Sequence, residues 1–414
     1  MANIYDYLNW RGDITFDRCG LGEVDNLLFS MLVYVNFQGI VPSDPHDVGI
    51  TLRDAAKEFF FSYNDDEKYP LGLIIPKEII TVFRRLADTP RYADLYLTGY
   101  VNEICEERDM QFSAITVRLP QGDTVVSFRG TDDTLVGWKE DFKMLYMSEV
   151  PSQRKAVEYL NRLPDGDGGL YVVGHSKGGN LAVWSSVHAE RRVRDRIVCV
   201  YSNDGPGFSR EMLQTEAYRH LRDRLVFLVP QSSLVGLLFF NDGKHEVVKS
   251  RARGVYQHNP LMWDIMGHAF VRAEVLDAKA KKTEALLRER LERMNMDERK
   301  QLVDLLCDLL DAGGAKTLVE FNEGKLHRAF TMVRAITELD KERKDTAWYL
   351  LSKLLDLRIT VAPTMATVAK KPSEQGRDIS LAHPTRPQRR TQTPSQGAKG
   401  KIQVEWRWNA TERW

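Results

Sequence analysis

The chain has 414 residues, of which 43% are hydrophobic and 10% aromatic, enough for a substantial core. Lysine plus arginine and aspartate plus glutamate balance at 58 each, so no net charge draws it toward nucleic acid or an anionic membrane. Met1 to Trp10 shows neither a basic n-region nor an apolar h-region, so no secretory signal is expected. The longest apolar run, Ser233 to Phe240, falls far short of the ~20 residues that span a bilayer, so no stable membrane insertion is expected. Cys19, Cys105, Cys199 and Cys307 show no close pairing and no metal-ligand spacing, which fits reduced thiols in a cytoplasmic protein.

From Glu23 to Phe37, the residues Val24, Leu27, Leu28, Met31, Leu32 and Val35 recur at helix spacing, and Gly39 and Pro42 close the pattern. Further helices are predicted around Ile79 to Leu86 and Lys155 to Asn161. Ala114 to Leu119 and Thr124 to Phe128 read as strands joined by the turn Pro120 to Asp123, a hairpin. More strands are predicted at Gly169 to Val173, Arg196 to Tyr201, Arg224 to Val229 and His245 to Lys249, with a helix at Ser176 to His188. Strands alternating with helices predict an α/β fold, a mostly parallel sheet with helices on both faces. Residues 1–270 would form this core with its N-terminal helical segment.

Residues 271–358 are charged and leucine-rich, and read as a helical appendage. Its densest stripe is Leu302, Val303, Leu305, Leu306, Leu309 and Leu310, ended by Gly313 and Gly314. Residues 359–414, rich in Pro, Thr, Ser, Gln, Lys and Arg, read as a largely disordered tail. Ile402 to Trp408 alternates like a strand, which suits a sheet edge, a partner, or an end without a role.

The chemistry lies in the middle of the chain. The short apolar strand Leu170 to Val173 runs into Gly174-His175-Ser176-Lys177-Gly178-Gly179, and Asn180 to Trp184 opens a helix. This is G-x-S-x-G in a strand, tight turn, helix setting, where the nucleophile projects above the sheet and the helix N-terminus favours developing negative charge. The flanking glycines relieve the collisions that so sharp a turn would cause. Neither G-x-G-x-x-G nor a Walker-type loop occurs, so a phosphate-cradling loop fits worse.

A serine nucleophile needs a base, an orienting acid and an oxyanion hole. Asp204, at the end of the strand that runs into Asn203-Asp204-Gly205-Pro206-Gly207-Phe208, is the candidate acid, though an Asx-turn role reads equally well. Asp242 looks more like turn chemistry. His258, in a polar loop after the last predicted strand, is the candidate base, with His245 and His268 as rivals. The oxyanion donors would be the backbone N–H groups of Lys177 and, from Phe128-Arg129-Gly130-Thr131, of Thr131, whose hydroxyl could also contribute. No metal or organic cofactor is needed.

Phe128-Arg129-Gly130-Thr131, Trp138, Asp141 and Gly174 to Gly179 together resemble the class-three (fungal-type) lipases, in which the first segment serves the oxyanion and the second is the nucleophile elbow. Lys177 stands where that family usually has leucine, which suggests a more polar site. The family also places its acid after the strand that here is Arg224 to Val229, but Pro230 to Gly236 contains no carboxylate. A closer resemblance is to the Mbeg-like family of bacterial α/β-hydrolases, a domain of unknown function. It is carried by Asn3 to Tyr7, Glu23-Val24-Asp25, Gly174 to Asn180, Asn203 to Phe208 and Gln257-His258, across about residues 1–270. It implies an α/β-hydrolase fold and catalytic type, but no substrate.

The expectation is therefore a serine hydrolase of the esterase or lipase type, acting on a small-molecule acyl ester through Ser176, His258 and Asp204. An acyltransferase using the same site, or a binding protein that kept the fold, are the alternatives. The sequence does not fix the oligomeric state or the lid, for which the helices after residue 270 and Ser233 to Phe240 are both candidates.

Overall fold

The computed structural model describes residues 2–63, 69, 75–233, 235–240, 242, 245–312, 314–317, 320 and 341. The predicted tail, the strand-like Ile402 to Trp408 and most of 313–358 lie outside these residues.

In chain order, α1 (Ile4–Arg11) and α2 (Glu23–Leu32) precede β1 (Ile50–Thr51), α3 (Leu52–Ser62), α4 (Glu78–Asp88), β2 (Tyr96–Cys105), β3 (Met110–Arg118) and β4 (Thr124–Phe128). Then come α5 (Leu135–Lys143), α6 (Pro151–Asn161), β5 (Leu170–His175), α7 (Lys177–His188), α8 (Arg191–Arg194), β6 (Ile197–Asn203), α9 (Arg210–Leu213) and α10 (Glu216–Leu221). β7 (Leu225–Pro230), β8 (His245–Val248), β9 (Ile265–Met266), β10 (Ala269–Phe270), α11 (Ala278–Glu292) and α12 (Met296–Ala312) complete the described elements.

β1 to β8 form one sheet whose spatial order follows the chain order. β1 to β4 pair antiparallel and β4 to β8 pair parallel; short connections link β2 to β3 and β3 to β4, whereas α5 to α10 carry the crossovers between β4 and β7. Side chains of the central strands divide between two cores with period two. Ile115, Val117, Val125 and Val173 face the core built with α1 to α4. Phe112, Ala114, Val126, Phe128, Leu170 and Val172 face the core built with α6, α7 and α10. Helices on both faces of a mostly parallel sheet match the predicted α/β architecture.

The differences have local causes. The helix predicted to Phe37 ends at Leu32 and passes through a turn to Gly39, whose φ of 81° favours glycine. β2 was not predicted: Gly99 interrupts its alternation, and a bulge between Thr98 and Val101 shifts its register against β3. The helix predicted from Lys155 begins at Pro151, which has no N–H to lose in a first turn. Beyond residue 270 the described helices are α11 and α12. Leu302 and Val303 are fully buried, and Lys139 on α5 pairs with Asp311 on α12 at 2.5 Å. No described helix is long and apolar enough to cross a membrane.

Candidate active site

The site lies where β4, β5 and β6 end together. Gly174 pairs with Phe128 on one side and Ser202 on the other, and His175 pairs with Asn203. Ser176 therefore emerges between the Arg129 to Thr131 loop and Asp204. Its φ of 58° and ψ of −132° are strained for a residue with a side chain, as a nucleophile elbow requires. A Cβ on Gly174 would stand 2.1 Å from the Gly178 carbonyl oxygen, and one on Gly178 would stand 2.1 Å from that of Phe128. Both glycines are thus obligatory. The Ser176 N–H donates to the Asn203 carbonyl at 2.9 Å, and the Ser176 carbonyl accepts the Gly179 N–H at 2.9 Å as α7 begins.

Asp204 is fully buried, with φ at 50°. Its Oδ2 accepts Nδ1–H of His258 at 2.7 Å, across 54 residues of sequence. Its Oδ1 accepts the Ser233 hydroxyl at 2.5 Å and the Gly236 N–H at 3.1 Å. The Pro230 to Gly236 loop, which lacks a carboxylate of its own, instead supplies donors to the carboxylate on the neighbouring strand. The His258 side chain is 26% exposed. Its turn is pinned by Gln257, whose Oε1 accepts the Ser232 N–H at 2.7 Å and whose carbonyl accepts the Trp263 indole N–H at 2.9 Å. Among the described residues no hydrogen bond joins the Ser176 hydroxyl to the imidazole, a contact that commonly tightens only with substrate bound.

The rival residues stand elsewhere. His245 opens β8 beside the charges of Glu284, Lys281 and Arg288 on α11. His268 is exposed in the turn between β9 and β10. Asp242 pairs with Arg222 at 2.6 Å.

Thr131 is buried, and its hydroxyl donates to Asp141 Oδ2 at 2.5 Å. Burial pushes Asp141 up to about 6, against the opposing pull of the Lys177 ammonium. The Lys177 side chain overturns one expectation. It does not add polarity beside Ser176: its Nζ turns into the protein, 3.0 Å from Glu140 Oε2, the Gln111 carbonyl and Gln111 Oε1. Lys177 and Glu140 are 1% and 0% exposed, and Glu140 also accepts the Gln111 and Ser152 N–H groups. An ammonium left unpaired at that depth would cost several kcal/mol, so the buried carboxylate compensates it.

Other supporting residues, Asn203 and Asn180 among them, were given no structural role from the sequence. Asn203 Nδ2 donates to Asn26 Oδ1, to the Ser30 hydroxyl and to the Gly174 carbonyl at 2.9 to 3.1 Å, tying α2 to the elbow. Asn180 Nδ2 donates to the Gly207 carbonyl at 3.0 Å and its Oδ1 accepts from Gln153 at 2.8 Å. One signal was available: a lysine in the first turn of a buried helix demands an acidic partner.

Comparison with known proteins adds a family. The family model described as Mbeg1-like matches residues 86–308, more than half of the chain, and spans Ser176, Asp204 and His258. Among solved structures the chain is similar to one titled the crystal structure of M37 lipase, at 15% identity over 51% of this chain and 67% of that one, with a TM-score of 0.33. Among curated proteins none matches this chain.

Proposed function

We propose that this chain, which belongs to the Mbeg1-like family, is a serine hydrolase that cleaves an acyl ester through Ser176, His258 and Asp204. The contact that supports this reading most is the 2.7 Å hydrogen bond from His258 Nδ1 to the fully buried Asp204, placed beside a strained Ser176.

Ser176 Oγ attacks the ester carbonyl carbon while Nε2 of His258 takes the hydroxyl proton. The new C–O bond pushes the carbonyl π electrons onto oxygen. The backbone N–H groups of Lys177 and Thr131 stabilise that charge. The tetrahedral intermediate collapses, the C–O bond to the alcohol breaks, and the imidazolium returns its proton to the leaving oxygen. Water then repeats the sequence on the acyl-enzyme and frees the acid. Asp204 fixes the tautomer that leaves Nε2 free and stabilises the imidazolium, while Ser233 and Gly236 hold its second oxygen away from the ring.

The partial exposure of His258 favours water over a competing alcohol as acceptor, since acyl transfer needs a drier site. The strained backbone at Ser176 argues against a binding protein, which would gain nothing from it. Because the Lys177 charge is neutralised inside the fold, it gives no reason to prefer a polar acyl group.

A panel of p-nitrophenyl esters of increasing acyl length, run on wild type and Ser176→Ala, tests the reading. Turnover that is lost in the variant supports it. Equal rates in both proteins would sink it.

A further inference from the structure

Beside the proposed triad lies a second histidine that the mechanism does not use. His175 precedes the nucleophile and is buried, with its ring 4.6 Å from that of His258, centroid to centroid. Both ring nitrogens have partners. Nε2 is 2.9 Å from the backbone carbonyl of His258. A carbonyl only accepts, so Nε2 carries the proton and donates. Nδ1 is 3.3 Å from the Tyr34 hydroxyl, and with Nε2–H fixed it accepts from that hydroxyl.

Tyr34 is itself buried, in the turn that follows α2. Burial raises its pKa, so the hydroxyl keeps its proton, and the Gly130 backbone packs closely against the same oxygen. Gly130 belongs to the proposed oxyanion loop and touches the elbow. A Cβ there would stand 2.4 Å from the Tyr34 hydroxyl oxygen, 2.6 Å from the His175 carbonyl oxygen and 2.9 Å from Ser176 Cβ. A chain of hydrogen bonds thus runs from Tyr34 to His175 and on to the main chain of His258, with the oxyanion-loop Gly130 packed against its Tyr34 end. Burial also pushes His175 well below the ordinary histidine range, which keeps the ring neutral and the direction of the chain fixed.

We propose that Tyr34 and His175 are positioning residues that hold the oxyanion loop and the main chain of the general base in register across the nucleophile. The proposal rests on the hydrolase reading for its kinetic consequence, but the hydrogen-bond chain itself can be read without turnover. Each link is specific in kind. His175→Phe removes both the donor to the His258 carbonyl and the acceptor for the Tyr34 hydroxyl, whereas Tyr34→Phe removes only the donor to Nδ1. Either change leaves a buried polar group unpaired while the triad side chains stay in place.

The test has two arms. In the first, ¹⁵N NMR of the imidazole nitrogens in wild type at pH 7 reports the tautomer of His175. A neutral ring protonated on Nε2, whose Nδ1 resonance moves in Tyr34→Phe, is expected. A ring protonated on Nδ1, or doubly protonated, overturns the proposal whether or not the protein hydrolyses esters.

In the second arm, ester turnover is measured for Tyr34→Phe, His175→Phe and the double variant, with Ser176→Ala as the blank. The single variants are expected to lose ~10-fold in kcat with KM changed less than about two-fold, and the double variant to lose little more than either single. Full additivity of the two losses, or unchanged kcat in Tyr34→Phe, overturns the proposal. Equal activity of wild type and the Ser176→Ala blank defeats the hydrolase reading instead, and the tautomer then decides the chain alone.

Discussion

Asp204 reaches His258 from the end of β6, while the loop after β7 gives Asp204 the Ser233 hydroxyl at 2.5 Å. The acid and its supporting donors have thus been divided between adjacent strands that pair Asn203 with Leu228. If Asp204 orients the base, Asp204→Asn keeps the shape of the site but offers an amide where the ring N–H needs an acceptor. It is expected to lower kcat by on the order of 10³-fold or more without unfolding the chain. Ser233→Ala should cost less, ~10-fold, because Gly236 N–H still holds Oδ1. Steady-state kinetics on one chromogenic ester, with circular dichroism as the fold control, reads both. A smaller loss in Asp204→Asn than in Ser233→Ala would remove Asp204 from its role.

Lys177→Leu restores the residue that class-three lipases usually carry at the elbow, yet it should be destabilising here. It strands Glu140 at 0% exposure with no cation. Breaking a buried pair from one side costs about 3–5 kcal/mol. Lys177→Leu combined with Glu140→Gln removes the orphaned charge and should recover part of that loss. Urea denaturation of the three proteins measures it, and equal stability of Lys177→Leu and wild type would refute the account of the pair.

Asp141 gives a pH signature. Its folded pKa of about 6 lies above the ordinary carboxylate value, so the fold disfavours its ionised form. The stability this group contributes is complete below about pH 4 and is lost as pH rises through about 6. Asp141→Asn keeps an acceptor for the Thr131 hydroxyl and carries no charge. Its stability relative to wild type should therefore climb between pH 4 and 6 and level off above. The climb is expected to be about 2 kcal/mol after allowing for the 28% of the side chain that remains exposed. Urea midpoints across that range check it. A difference that stays flat with pH would show that Asp141 ionises freely.

Much of this was legible in the sequence because the governing patterns are local. The parallel strands from β4 to β8 announce themselves as apolar runs, with helical periodicity between β4 and β5 and between β5 and β6. The elbow announces itself because Gly174 and Gly178 are required within a few residues of Ser176. Asp204 and His258 were named from chain order and loop position, and the structure brings them within hydrogen-bonding distance. What escaped depends on contacts distant in sequence. Lys177 reads as a charge beside the nucleophile until Glu140, 37 residues earlier, is seen beneath it. Tyr34 reads as part of a helical pattern, and its link to His175 crosses 141 residues. β2 escaped because Gly99 and its bulge disrupt the alternation that marks a strand.

The central claim is that Ser176 is an activated nucleophile, and covalent labelling tests it most directly. Wild type and Ser176→Ala are each treated with a fluorophosphonate, and the intact masses and labelled peptides are measured alongside ester turnover. The account predicts one adduct on wild type, mapped to Ser176 and accompanied by loss of turnover, and no adduct on Ser176→Ala. An adduct or undiminished hydrolysis in Ser176→Ala, or a wild-type adduct mapped to another residue, would contradict it.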